Sequence, residues 1–128
     1  MNHSKHLVFL SLIALSLQAC SDGLSVADAK KLWEQSKDLK SFRQYSEEFA
    51  NFNNYHHLDE KDGCYSLGAG SVTMYFIIKP KPNSEFSVIE QVATEVDNAK
   101  SQCFKNTYTG IPTKVTPFAP FVMKMVMG

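Results

Sequence analysis

The residues best able to do chemistry in this 128-residue chain are three cysteines, an adjacent pair of histidines and a scatter of carboxylates. Neither Cys64 nor Cys103 has a second cysteine at CxxC spacing, and neither is closely followed by histidine. That argues against a reactive dithiol or a zinc-binding motif. His56 and His57 stand beside Asp59, Glu60 and Asp62. A metal ion would need those donors to converge, but adjacent side chains diverge on a regular helix or strand, and no third ligand follows at metal spacing. The segment reads instead as a solvated loop. Glu85, Glu90 and Glu95 are further carboxylates, yet spacing alone sets no two across one cleft, as glycoside chemistry requires. GxSxG, P-loop, HExxH and CxxC patterns are absent. The sequence therefore assigns no catalytic, metal-binding or cofactor-binding residue, and the expectation is a protein that is not an enzyme.

The third cysteine belongs to a different context. Met1–His6 is polar and carries Lys5; Leu7–Leu17 is apolar except for Ser11 and Ser16; Leu17-Gln18-Ala19-Cys20 closes the segment. A charged start, a short apolar core and a small residue before a cut define a secretory signal. At about 1.5 Å per residue the apolar run covers only about half of a bilayer core, too little for a span. Leu-Gln-Ala-Cys resembles the lipobox of bacterial lipoproteins. The resemblance implies a signal peptide at 1–19, cleavage before Cys20, and diacylglycerol on the Cys20 thiol, with residues 20–24 as a lipidated tether. Two or three acyl chains anchor stably, since each buried methylene adds about 0.8 kcal/mol. Ser21 follows the cysteine where an aspartate would mark inner-membrane retention in enteric bacteria, so the outer membrane is favoured over the inner.

Setting Cys20 aside leaves Cys64 and Cys103. Two thiols in an exported domain predict one disulfide. Removing residues 1–19 also removes Lys5, so the 13 basic and 13 acidic residues become 12 and 13. Near-neutrality argues against nucleic acid as a partner, because phosphate binding needs a basic face.

Around these residues the hydrophobic period sets the elements. Ser25-Val26-Ala27-Asp28 is a variant capping box, and Val26, Ala29, Trp33 and Ser36 follow at helical spacing. Ser41-Phe42-Arg43-Gln44 is a second box, which predicts a break near Asp38 within a helical segment of about 26–52. Leu39, Phe42, Phe49 and Phe52 share one helical face and read as core. Strands are expected at about 63–67, 71–79, 85–93 and 121–127, with a short helix at about 98–107. Residues 85–96 fit either period; a strand is favoured because the preceding strand needs a partner beyond the Pro80–Ser84 turn. The final run, Val122-Met123-Lys124-Met125-Val126-Met127, alternates, and its methionines suit a core better than a contact surface. The fold class is thus α+β with a small antiparallel sheet, a single domain over residues 25–128.

Val72-Thr73-Met74-Tyr75-Phe76-Ile77-Ile78 before a turn, and Pro117-Phe118-Ala119-Pro120 before the last strand, resemble the C-terminal domain of TonB-type energy transducers over about residues 63–127. The resemblance implies a fold and leaves the activity open. The expected function is a membrane-anchored periplasmic lipoprotein acting as a non-catalytic binding or accessory module, with strand addition at a sheet edge as one mode. Its partners would be the membrane, through the anchor, and another envelope protein. The alternatives are an inhibitor or immunity-type lipoprotein against a hydrolase or toxin, and a small cell-wall-modifying hydrolase.

Overall fold

The first helix begins where the sequence supplies its cap. The computed structural model describes residues 23–50 and 63–128, together with the helical backbone of 51–55. Helix α1, Val26–Ser36, starts after Ser25, whose side chain accepts from the Asp28 N–H at 3.1 Å. That bond satisfies one of the donors a helix leaves unpaired at its start. A turn at residues 37–39 breaks the helical run near Asp38, as expected, and α2 follows at Lys40–Tyr55. Ser41 lies inside α2 and does not cap it, because the Leu39 carbonyl already accepts from the Arg43 N–H.

Residues 63–67 correct the sequence reading. They were expected as a strand and are instead helical, with a 3-10 turn at Tyr65–Leu67. Side-chain ties explain the difference. Cys64 is bonded to Cys103, and the Tyr65 ring stands edge-on to Phe104 with centroids 5.3 Å apart. Both partners lie on α3, Ala99–Tyr108, so the segment is fixed against a helix.

The sheet has four strands: β1 Val72–Pro80, β2 Ser87–Thr94, β3 Pro112–Thr113 and β4 Phe121–Met127. Their order is β3-β2-β1-β4, antiparallel throughout. Strand β3, at residues where the sequence predicts no strand, thus supplies one edge of the sheet. Residues 87–94 are a strand because β1 requires a ladder on that side; Glu90 is the extra residue where the register steps from Ile77↔Gln91 to Ile78↔Ile89. Helix α3 then opens with a reciprocal capping box between Asn98 and Ser101.

Both sheet faces are covered. Met74, Phe76 and Ile78 of β1 lie under Phe42, Tyr45 and Phe49 of α2 and Phe104 and Tyr108 of α3. Tyr75 and Ile77 point the other way, with Ala93 and Val122, and meet Ala29 of α1. Burial on both faces explains why β1 reads as a continuous apolar run. At the start of β4, Phe121 stacks on Phe42 with centroids 4.6 Å apart and also touches Tyr45 and Phe118. Helices α1 and α2 therefore cover β4 from opposite faces.

Candidate functional site

Of the residues singled out for chemistry, the structure joins one pair. Cys64 and Cys103 form a disulfide, with Cα atoms 5.5 Å apart. Cys64 is fully buried. Cys20, His56, His57, Asp59, Glu60 and Asp62 lie outside the described residues. Among the described residues no three His, Cys, Asp or Glu side chains gather as metal ligands. The remaining carboxylates are separated: Glu90 pairs with Lys79 at 3.3 Å, Glu95 accepts from the Tyr75 hydroxyl at 2.9 Å, and Glu85 is exposed in the hairpin turn. Burial, reinforced by the Glu95 bond, pushes the Tyr75 hydroxyl up to about 12. A proton held that firmly is a structural feature, poorly suited to transfer near neutrality. No helix among the described residues is long and apolar enough to cross a membrane.

The most distinctive surface lies at the edge of β4. The Glu95 N–H donates to the Thr73 carbonyl, so Thr73, Tyr75 and Ile77 direct their backbone groups toward β2. Alternation then aims Met74, Phe76 and Ile78 at β4. Their partners there are Met125, Met123 and Phe121. Lys124 and Val126 consequently turn their N–H and C=O groups outward, and among the described residues no neighbouring strand pairs with them; Val122 shares that orientation but is buried. The opposite edge of the sheet is only two residues long and contains Pro112, which blunts it.

Met123, Lys124 and Met125 of β4 form the floor of a groove of about 420 Å³ between α1 and α2. On the α1 side stand Trp33 and Lys37, with the Lys124 ammonium 4.8 Å from the Trp33 ring centroid. On the α2 side stand Phe42, Arg43, Ser46, Glu47 and Ala50, with Met123 and Met125 below them. Lys37 forms an ion pair with Glu34 at 3.0 Å, which raises its affinity for the proton. The Ser46 hydroxyl has no hydrogen-bond partner among the described residues. Met123 and Met127 fill the core, as the sequence suggested, while Met125 stays partly exposed at the groove.

The residues of this groove were not singled out from the sequence. The one available signal was Lys124, a charge interrupting an apolar alternating run. Trp33 and Arg43 reach the site only because α1 and α2 cross to opposite faces around β4, a tertiary fact that periodicity does not encode. Comparison with protein families, curated proteins and solved structures gives no match for this chain.

Proposed function

We propose that this protein is a lipid-anchored periplasmic lipoprotein that acts as a non-catalytic binding module, taking an extended segment of another envelope protein as an added strand on β4. The observation that carries the binding mode is the β4 edge at Lys124 and Val126, with which no strand among the described residues pairs, beside a walled groove. An added strand makes main-chain hydrogen bonds to the outward groups of Lys124 and Val126, while the walls select its side chains. The anchor rests on the Leu17–Cys20 lipobox and the signal-like segment before it. With the outer membrane as its address, the partner is another envelope protein.

Two experiments test the two halves. For the anchor, cells are labelled with palmitate and fractionated, wild type beside Cys20→Ala. Label and membrane association should both disappear in the variant, with protein size recorded to detect an uncut signal. Retention of label by Cys20→Ala removes the lipidation reading. For the binding role, crosslinking in the native envelope through a photoreactive residue at position 126 should trap a discrete partner. No crosslinked species from position 126 in intact cells would count against a bound strand.

A further inference from the structure

Building on the strand-addition reading, we infer that the β4 groove selects an extended segment in which acidic residues alternate with apolar ones, the acidic side chains facing Trp33, Lys37 and Lys124 and the apolar ones facing Ala50 and Met125. The two walls differ in chemistry, and a strand laid along β4 must read them alternately because its side chains alternate between faces. The α1-side wall carries two cations. Lys124 stands over the Trp33 ring, and among the described residues no carboxylate pairs with it. Lys37 shares its charge with Glu34 and lies next to Asp38, so Lys124 dominates. The α2-side wall is apolar at Ala50 and Met125, over the buried Phe42 and Met123, and its Arg43 and Glu47 carry opposite charges. The positive excess of the groove is thus concentrated on one wall.

A second copy of this chain paired about the β4 midpoint does not fit. Two β4 strands paired antiparallel about their midpoints would set one Lys124 beside the other, and like charges directly opposite one another destabilise a sheet. A basic or uncharged segment leaves Lys124 without a counter-charge. A carboxylate on alternate residues of the guest strand supplies it at the rim of the groove, where charge affects selectivity more than total affinity.

The test uses the chain from Cys20 in detergent micelles and three synthetic peptides of β4's own length, seven residues. These alternate valine with glutamate, serine or lysine. Trp33 is the only tryptophan of the chain, so its fluorescence reports occupancy of the groove. The glutamate peptide should bind about tenfold more tightly than the serine peptide, the lysine peptide should bind least, and added salt should narrow the difference. Lys124→Glu should reverse the order. Lys124→Pro deletes an outward N–H that makes no ladder bond, so it should abolish binding of all three while leaving the circular dichroism spectrum unchanged. A glutamate peptide N-methylated on its strand-facing amides tests the same bonds without altering the protein, and it should not bind. Equal binding of the three peptides, all lost with Lys124→Pro or N-methylation, overturns the acidic preference and leaves strand addition standing. Binding that survives the loss of these hydrogen bonds, or no binding by any peptide, overturns both.

Discussion

Replacing Cys64 and Cys103 together by alanine removes a covalent tie between residues 39 positions apart in sequence. The closed loop contains β1 and β2, so reduction frees a large part of the unfolded chain. The chain-entropy relation for a loop of that length gives about 4 kcal/mol at 25 °C. Truncating the fully buried Cys64 side chain leaves a small void that adds up to about 1 kcal/mol. A domain of this size is stable by about 5–15 kcal/mol in total. The double variant should therefore lose a third or more of its stability and melt about 15–20 °C lower, at about 4 °C per kcal/mol. The assay is urea unfolding followed by Trp33 fluorescence, with oxidised wild type, reduced wild type and the double variant measured in parallel. The last two should agree within about 1 kcal/mol, because both have lost the same constraint, and both should show a steeper denaturant dependence as the unfolded state expands. A loss below about 1.5 kcal/mol would refute the loop argument. It would mean that noncovalent contacts, such as the edge-on Tyr65–Phe104 pair, hold residues 63–67 in place unaided.

Other parts of the fold give sharper local tests. Phe121→Ala removes the ring that stacks on Phe42 and touches Tyr45 and Phe118; a loss of about 3–5 kcal/mol in thermal or urea unfolding is expected. Asn98→Ala breaks the capping box of α3 and should cost about 1 kcal/mol, read by the same unfolding curves. Tyr75 has a folded pKa of about 12 against 10.0 for an unperturbed tyrosine. Its protonated form is therefore favoured in the folded state, and its contribution is complete below pH 10 and is lost as pH rises from 10 toward 12. Over that window the stability of wild type should fall more steeply than that of Tyr75→Phe. Gln91 accepts from the Leu24 N–H at 2.9 Å and donates to the Leu24 carbonyl at 2.6 Å; Gln91→Ala should accelerate hydrogen exchange at Leu24 while leaving exchange in β4 unchanged.

Much of the architecture was legible because single residues fixed it locally. Ser25 caps α1, Asn98 lies at the predicted start of α3, Pro80 and Pro82 mark the end of β1, and the alternation from residue 121 onward is β4. The break between α1 and α2 was read correctly, but for a partly wrong reason, since Ser41 does not cap α2. Residues 63–67 failed because β-prone local composition was outweighed by two long-range ties to α3, the disulfide and the Tyr65–Phe104 contact. β3 was missed because two residues ending in a loop carry no periodicity, and Pro112 argued against a strand except at an edge, which is where it lies. Lys100 illustrates the same limit: it is buried with its ammonium on the Gly68 and Gly70 carbonyls, although nothing in its neighbours distinguishes it from a surface lysine.

Lys124 admits a simpler explanation than recognition. A lysine on an edge strand is a common guard against aggregation, since its charge opposes pairing with another sheet. A guard residue needs no walls around it, however, and is most effective when its charge stands free in solvent. Here the ammonium is drawn over Trp33 and the strand lies between two helices, an arrangement that shields the edge from flat association. The two roles predict different behaviour for Lys124→Thr. A pure guard leaves behind an edge that pairs with copies of itself, so the variant should associate in a concentration-dependent way and bind acidic and neutral peptides no differently from wild type. In the proposed complex the helices already exclude a second sheet, so Lys124→Thr should remain monomeric in sedimentation while the preference for the glutamate peptide collapses. The helices then keep two copies apart while the Lys124 charge admits an acidic partner, and the discrimination resides in the wall that carries it.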